Sequence, residues 1–398
     1  MSTLGNDTLQ EEKEMINAIV FGQNIYSQYL IKFMENGYNK VANEFGKETI
    51  HIIAYWNISH SDPLPEDGIA SIDSNKAKEM IETGQADILL IASQNYAGQQ
   101  DFLSFFFSIG LDLDNIYIVD LESEFSTPKS IVDALIPYYS FRRLPYLEFH
   151  IADHCNLNCA NCEHYSGLVK TPVFPDFAKF SQDLNRLKLF FDEISLIRIL
   201  GGEPLLNPEI EDYIKLVGSV YPNAMIHIVT NALLLQKMPD SFFDTLKNCH
   251  DGSGIWISLY PVMNDKIDDL KSFLNEKGVA YGISDINSTF RKQQKLERSD
   301  DESLIKKFNT CFQKGCVNLY DGKIAACFLP FTTKYFNQYF NESLPEDGAV
   351  DLYEECLTTE IIRQRISKPF ERCRYCAEPV DGPWHTIHNP STLDDWVL

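Results

Sequence analysis

The sequence is poor in positive charge. Its 398 residues include 34 lysines and arginines against 57 aspartates and glutamates, a net charge of -23. The long-range field of such a chain repels a phosphate backbone, so nucleic acid is not expected as a partner. The sequence also has no apolar run near the roughly 20 residues that cross a bilayer. Acidic Glu11, Glu12 and Glu14 stand where a secretory signal has its apolar core. We therefore expect a cytoplasmic protein with no membrane partner.

The N-terminal third lacks a complete dinucleotide fingerprint. It alternates strands with helices, which predicts a parallel sheet. The predicted strands are 19–22, 51–56, 87–92 and 116–119. A short acidic helix is predicted over 8–17. Gly22 supplies only the first glycine of G-x-G-x-x-G, and residues 23–27 offer no second one. Residues 1–144 are therefore predicted to form a Rossmann-like α/β accessory domain that docks substrate or another subunit, in preference to a dinucleotide site.

Cysteine is well represented, with ten residues. In a reducing compartment they are expected as metal ligands or core thiols rather than as disulfides. Cys155, Cys159 and Cys162 have the spacing C-x3-C-x2-C and follow an apolar run over 146–151. Soft thiolates select zinc or iron–sulfur clusters, and three ligands from one loop leave one coordination position open. An open position is where chemistry can take place.

The segment 145–300 has the alternation of a partial β/α barrel. Buried strands are predicted at 146–151, 194–200, 225–229, 255–259 and 279–283. Helices are predicted between them over 208–220, 239–248 and 265–277. About five strands fit an open, partial barrel better than a closed one, and ligands are expected at the carboxyl ends of the strands.

The cysteine loop and the later Gly201-Gly202-Glu203-Pro204 together resemble the radical SAM superfamily. The resemblance implies that the loop cysteines hold a [4Fe-4S] cluster whose fourth iron is chelated by S-adenosylmethionine. It also implies that the reduced cluster cleaves this cofactor, and that the resulting 5'-deoxyadenosyl radical removes a hydrogen atom from the substrate. An electron donor such as flavodoxin or ferredoxin is the implied partner.

The same resemblance implies a set of residues that bind S-adenosylmethionine. They are Gly201, Gly202, Glu203, Pro204, Thr230, Asn231 and Ser258. The glycines allow close backbone approach, and Glu203 is the expected acceptor for the methionyl ammonium. Simple strand termination explains Thr230, Asn231 and Ser258 equally well. Many relatives have an aromatic residue before the third cysteine, but this chain has Asn161, so Tyr165 is the expected adenine contact.

Five more cysteines form a C-terminal set: Cys311, Cys316, Cys327, Cys373 and Cys376. Asp321-Gly322 between short apolar segments predicts a hairpin that brings Cys316 and Cys327 together. The set resembles the auxiliary-cluster region of the SPASM and twitch branches. A full SPASM domain needs more cysteines, so a twitch-like domain over 301–398 with one auxiliary [4Fe-4S] cluster is expected. Of five candidates, Cys373 or Cys376 is the expected surplus, and a zinc ribbon is the alternative.

These observations predict an α/β protein whose partial (β/α)6-type barrel lies between the Rossmann-like and twitch-like domains. One auxiliary cluster suits dehydrogenation of a carbohydrate, aminocyclitol or nucleotide-sugar substrate. Epimerisation stays open, and the sequence identifies no catalytic side chain. A radical SAM maturase of peptides or proteins is the alternative enzyme, and a non-enzymatic zinc protein is the third possibility.

Overall fold

The structure, a computed structural model, describes residues 15–21, 30, 49–56, 68–91, 116–119, 135–137, 142–387 and 390–398. The chain divides into two compact units, Met1–Phe141 and Arg142–Leu398. The division into 1–144, 145–300 and 301–398 stays a prediction.

The first unit contains a six-stranded sheet. Its described elements are β1 (Met15–Phe21), β2 (Thr49–Trp56), β3 (Ala70–Ile72), α1 (Ser74–Glu82), β4 (Ile88–Ile91), β5 (Ile116–Val119) and β6 (Leu135–Pro137). The strand order is β3-β2-β1-β4-β5-β6, and every described pair is parallel except β5 with β6. This confirms the predicted parallel α/β arrangement.

One predicted element at the start of this unit is wrong. Residues 15–17 belong to β1 and not to an acidic helix over 8–17. β1 is the central strand, paired with β2 on one side and β4 on the other, and Ile16 and Ala18 are buried within it. Burial in the sheet therefore outweighs the local helical pattern. The incomplete glycine fingerprint lies outside the described residues.

The second unit is built on an eight-stranded sheet of order β11-β10-β9-β8-β7-β13-β14-β15. The strands of this sheet are β7 (Arg143–Ala152), β8 (Glu193–Gly201), β9 (Met225–Thr230), β10 (Gly254–Ile257), β11 (Tyr281–Ile283), β13 (Asn318–Tyr320), β14 (Lys323–Ala325) and β15 (Ala349–Asp351). The same unit also contains β12 (Thr289–Gln294) and β16 (Cys376–Pro383), which form a separate two-stranded sheet. The run from β13 to β11 contains six parallel strands. The predicted partial barrel is confirmed.

Helices connect and follow these strands. They are α2 (Phe177–Lys188), α3 (Ile210–Val220), α4 (Asp240–Lys247), α5 (Ile267–Lys277), α6 (Asp301–Thr310), α7 (Leu329–Phe340) and α8 (Thr359–Ile366). The strands β7 to β10 and the inner faces of α2 to α5 share one apolar core. α5 ends at Gly278, whose φ of 64° is readily adopted only without a side chain. The loops that follow the parallel strands lie at the carboxyl end of the barrel.

The predicted Asp-Gly hairpin is present between β13 and β14, with φ values of 46° at Asp321 and 73° at Gly322. β13 joins the barrel sheet where Asn318 lies opposite Glu148 of β7. The Asn318 Nδ2 atom donates to Glu148 Oε1 at 2.7 Å inside the core. The C-terminal hairpin therefore continues the barrel sheet.

A two-stranded ribbon includes the segment after β11. Thr289–Gln294 is β12, and it pairs antiparallel with β16. The helix α6 begins only at Asp301, where Asp300 caps it by accepting from Ser303 N at 2.8 Å. A search of the described residues for a helix long and apolar enough to span a membrane found none.

Candidate cluster and cofactor site

The cysteine loop follows β7 at the carboxyl end of the barrel. Cys155, Cys159 and Cys162 all line a cavity of about 450 Å³. The loop turns through Asn158 and Asn161, with φ values of 53° and 55°. Asparagine adopts this left-handed region more readily than most residues. The turn thus explains why asparagine suits position 161.

Two side-chain N–H groups lie near sulfur atoms of this loop. Trp384 Nε1 donates to Cys159 Sγ at 3.1 Å, and Asn231 Nδ2 lies 3.7 Å from Cys155 Sγ. Burial, reinforced by negative charge on Cys162, raises the pKa of the Cys155 thiol to about 12. Donors to sulfur favour the ionised ligand and tune a bound cluster.

The segment 384–387 crosses the cysteine loop. Ala160 N donates to His385 O at 3.0 Å, and Ile387 N donates to Asn158 O at 2.9 Å. This contact and the Trp384 bond were missed by the sequence analysis. Only chain folding brings residues so distant in sequence together, and Trp384 stands in no recognisable motif. The segment 384–387 therefore holds the cysteine loop through its backbone at Asn158 and Ala160 and through the sulfur of Cys159.

The Gly-Gly pair lets the end of β8 dock against the start of the cysteine loop. A Cβ atom on Gly201 would lie 2.1 Å from Ala152 O, and one on Gly202 would lie 2.2 Å from His154 O. Gly202 N donates to Ala152 O at 2.7 Å, and Glu203 N donates to His154 O at 3.1 Å. No residue with a side chain fits this approach, so the pair fixes the distance between loop and strand.

His164 adds a further link between these segments. Its ring is buried, and burial together with the neighbouring His150 lowers its pKa to about 3. The ring is therefore neutral, and its Nδ1–H group donates to Gly201 O at 3.1 Å.

Glu203 is fully buried and already has protein donors on both carboxyl oxygens. Oε1 accepts from Thr230 Oγ1 at 2.7 Å and from Leu205 N at 3.2 Å, while Oε2 accepts from Asn231 N at 3.0 Å. Burial raises its pKa to about 7 despite these donors. Glu203 thus ties the ends of β8 and β9 together. Its predicted contact with the methionyl ammonium stays a prediction.

The other predicted cofactor residues lie at neighbouring strand ends. Gly201, Gly202, Thr230, Asn231 and Ser258 line the same cavity as the cysteines. Pro204 is buried and begins a short 3-10 turn over 204–206. The structure therefore brings these strand ends to one place, although their individual roles stay predictions.

Tyr165 is not among the residues that line this cavity. It is buried against Phe336 and Trp396, and its hydroxyl donates to Gln294 Oε1 at 3.0 Å. Tyr260, directly after the Ser258-Leu259 pair, lines the cavity together with Phe290 and Phe312. Burial, followed by negative charge on the three loop cysteines, raises the pKa of Tyr260 well above the usual value. The predicted adenine contact of Tyr165 stays a prediction.

Electrostatic neighbours group four of the C-terminal cysteines. The Cys327 thiol is buried and interacts electrostatically with Cys373, Cys311 and Cys376. The main neighbours of Cys316 are instead Glu148, Glu163 and Arg198, followed by Cys311. This grouping favours Cys311, Cys327, Cys373 and Cys376 as one ligand set. The expectation that Cys373 or Cys376 is the surplus thiol stays a prediction.

The chemistry of both groups fits iron–sulfur clusters. Three thiols with an open side match a cluster that leaves one iron free for a ligand, and four thiols match a fully ligated one. Among the residues that the structure describes, no three His, Cys, Asp or Glu side chains converge tightly enough to hold one metal ion. A four-iron cluster distributes its thiolates over separate corners, so its ligands need not converge on a single point.

Comparison with known proteins agrees with this geometry. Residues 149–259 match the family described as the Radical SAM superfamily. The match runs from within β7 to just past β10 and includes the cysteine loop and the Gly-Gly turn. Over these residues the chain resembles the radical SAM superfamily, whose chemistry uses a [4Fe-4S] cluster and S-adenosylmethionine.

Among individual relatives, a GTP 3',8-cyclase of Limosilactobacillus fermentum is 35% identical over 104 residues, 25% of this chain and 30% of the relative. A GTP 3',8-cyclase of Clostridium botulinum strain Okra is 28% identical, over 54% of this chain and 61% of the relative. The chain thus spans less than two thirds of each of these relatives. A crystal structure of BtrN in complex with AdoMet and 2-DOIA is similar at 14% identity, with a TM-score of 0.36, over 59% of this chain and 93% of that one.

Proposed function

We propose that this protein is a radical SAM enzyme that removes a hydrogen atom from a small polar substrate. One observation carries the proposal: three loop thiols, the Gly-Gly turn and the polar ends of β9 and β10 surround a single cavity of about 450 Å³. Pockets of this size are typical of small-molecule sites. Dehydrogenation and epimerisation of a carbohydrate, aminocyclitol or nucleotide-sugar are the proposed reactions, so the enzyme would be an oxidoreductase or an epimerase.

Cys155, Cys159 and Cys162 would hold the [4Fe-4S] cluster, with Trp384 and Asn231 donating to the sulfur atoms. When bound, the cluster and S-adenosylmethionine supply the hydrogen-abstracting radical. Gly201 and Gly202 line the same cavity and would contact the methionyl end of S-adenosylmethionine. Glu203 holds this turn in register with β9.

Several other residues that line the cavity are polar or charged, which favours a polar substrate. They include Glu163, Asn287 and Arg291, together with Asp381 from β16. Arg291 Nε lies 3.8 Å from Asp381 Oδ1, and its guanidinium lies over the Phe312 ring at 4.9 Å. Groups of both charges suit hydroxyl, amino and phosphate substituents. The names of the GTP-converting relatives add a nucleotide to the candidate substrates.

Cys311, Cys327, Cys373 and Cys376 would hold a second, auxiliary [4Fe-4S] cluster in a twitch-like region over 301–398. When held by these thiols, a second cluster would supply one-electron redox chemistry, which would suit oxidation of the substrate. The proposal includes a reducing, cytoplasmic location, because exposed thiols persist there. It also includes a flavodoxin- or ferredoxin-type electron donor.

Anaerobic incubation with S-adenosylmethionine, dithionite and candidate substrates tests the proposal. We expect 5'-deoxyadenosine to form, and to increase with the true substrate, as measured by chromatography and mass spectrometry. Parallel incubations with aminocyclitols, nucleotide-sugars, GTP and peptides separate the substrate classes, and turnover of peptides alone favours the maturase alternative. The matched control replaces Cys155, Cys159 and Cys162 by alanine. Anaerobically purified protein that contains zinc without iron or sulfide contradicts the proposal.

A further inference from the structure

Arg372 is fully buried, and in the described part of the chain its guanidinium has no carboxylate hydrogen-bond partner, although its backbone N–H donates to Asp347 Oδ1 at 3.0 Å. The exposure of Arg372 is 0%. The guanidinium donates from Nε to Thr333 Oγ1 at 3.0 Å, from Nη2 to Tyr165 OH at 3.1 Å, and from Nη2 to Gln294 Oε1. These acceptors are neutral. Leaving a buried charge without a compensating charge is costly, so a fold that keeps one has opposite charge nearby.

That opposite charge is available from the C-terminal thiols. Arg372 Nη1 lies 4.0 Å from Cys376 Sγ. Its other electrostatic partners include Cys327 and Cys373, all members of the four-thiol set. Four thiolates on an iron–sulfur cluster carry net negative charge, and the surrounding low dielectric strengthens their attraction to a cation.

The guanidinium also faces the first cysteine loop. A small cavity of about 20 Å³ is lined by Cys162, Tyr165, Arg372 and Cys376. Tyr165 follows the third loop cysteine, and with Gln294 of β12 it fixes the orientation of the guanidinium. Arg372 therefore borders a cavity that is also lined by Cys162 of the first thiol group and Cys376 of the second. Hydrogen bonds to Thr333, Tyr165 and Gln294 fix its guanidinium.

We propose that Arg372 is the counter-charge of the auxiliary cluster and sets its reduction potential. The inference rests on the proposed second cluster. Reduction adds one negative charge to a cluster, so a fixed neighbouring cation stabilises the reduced state and raises the potential. Arg372 is thus a positioning residue that acts through the cluster and does not contact substrate.

The test uses the full chain with Cys155, Cys159 and Cys162 replaced by alanine, so that the auxiliary cluster gives the only iron–sulfur signal. In this background we compare Arg372→Met, which removes the charge, with Arg372→Lys, which keeps it. The control is Arg374→Met, since Arg374 is equally near Cys373 in sequence but donates to the carboxylate of Glu371 at 2.9 Å. Iron, sulfide and the midpoint potential by redox-poised paramagnetic resonance are measured with dithionite as the reductant.

We expect Arg372→Met to shift the midpoint to more negative potential, with the ratio of reduced to oxidised cluster falling at least tenfold, about 59 mV for one electron. Arg372→Lys and Arg374→Met should stay within threefold of the background. Loss of iron in Arg372→Met alone also supports the proposal. Equal midpoints in Arg372→Met and Arg374→Met, or loss of iron in both Arg372 variants but not in Arg374→Met, overturn it. A background protein without any iron overturns the auxiliary cluster itself, which separates the two failures.

Discussion

At the scale of single residues, Glu203 gives the clearest pH-dependent prediction. Its pKa is raised from 4.5 to about 7, chiefly by burial. The folded state therefore binds this proton more tightly than the unfolded state, and the stability gained below pH 4.5 is lost as the pH rises to about 7. Glu203→Gln removes this titration, so its stability relative to wild type should rise across that range, by at most about 1.4 kcal/mol per pH unit.

Urea unfolding of the cofactor-free protein at pH 5, 6 and 7 measures this effect. Glu276→Gln, at an exposed glutamate at the end of α5, is the control. The prediction is contradicted if the difference in unfolding free energy between Glu203→Gln and wild type is the same at all three pH values. Burial of the ionisable carboxyl would then have no energetic consequence.

The sorting of the C-terminal cysteines gives a second prediction. Cys316→Ser should keep the iron content of wild type, because its thiol faces Glu148 and Arg198 rather than the four-thiol set. Cys327→Ser should lose about one cluster of iron, because Cys327 interacts with the other three thiols of that set. Iron and sulfide analysis of both proteins decides between them. Loss of iron in Cys316→Ser together with full iron content in Cys327→Ser would instead make Cys316 a cluster ligand.

Sequence alone identified the cysteine loop and the Gly-Gly turn because each is a local pattern with a chemical purpose. It missed Trp384 and the packing of Tyr165. The Trp384 bond to Cys159 joins residues that are 225 positions apart, and no spacing rule reaches that far. Tyr165 is close to the loop in sequence. Its φ of 54° is left-handed, and its side chain packs with Phe336 and Trp396 and accepts a hydrogen bond from Arg372.

At the scale of elements, the docking of β8 on the cysteine loop makes Gly202 the sensitive position. A Cβ atom there would lie 2.2 Å from a backbone oxygen, which cannot rotate away. Gly202→Ala should therefore cost about 1–3 kcal/mol of unfolding free energy, as overpacking does. It should also lower the iron held by the loop, because strand and loop must separate.

Gly218→Ala is the matched control. Gly218 lies within α3, and the nearest atom to an added Cβ is 3.8 Å away. This variant should be neutral or more stable by up to about 1 kcal/mol, because alanine favours a helix. Denaturant unfolding and iron analysis of the two variants compare them directly. Equal behaviour of both would contradict the tight approach at Gly202.

The barrel strands were predictable because buried parallel strands form continuous apolar runs, as in β8. The β12–β16 ribbon was not. β16 contains Pro379, Gly382 and Pro383, and β12 is rich in charge. Neither segment has a strand pattern of its own, and only their mutual pairing makes them strands. Proline is tolerated because each strand of a two-stranded ribbon is an edge.

At the scale of the whole molecule, the proposed function gives the two clusters separate sets of thiol ligands. Replacing Cys155, Cys159 and Cys162 together by alanine should therefore remove about one cluster of iron and leave the other. Iron analysis and circular dichroism of the anaerobically purified variant measure cluster content and folding. Complete loss of iron from a variant that still folds would contradict two independent sites.

The continuity of the sheet through β7 and β13 limits how such proteins can recombine. Glu148 is buried, and burial raises its pKa even though Asn318 and Tyr146 donate to it. A chimaera that exchanges residues 301–398 for the tail of another protein brings a different side chain to position 318 and leaves this carboxyl without its amide donor. A functional exchange must therefore carry β7 and the tail together. The tail is structurally coupled to the first barrel strand through this contact.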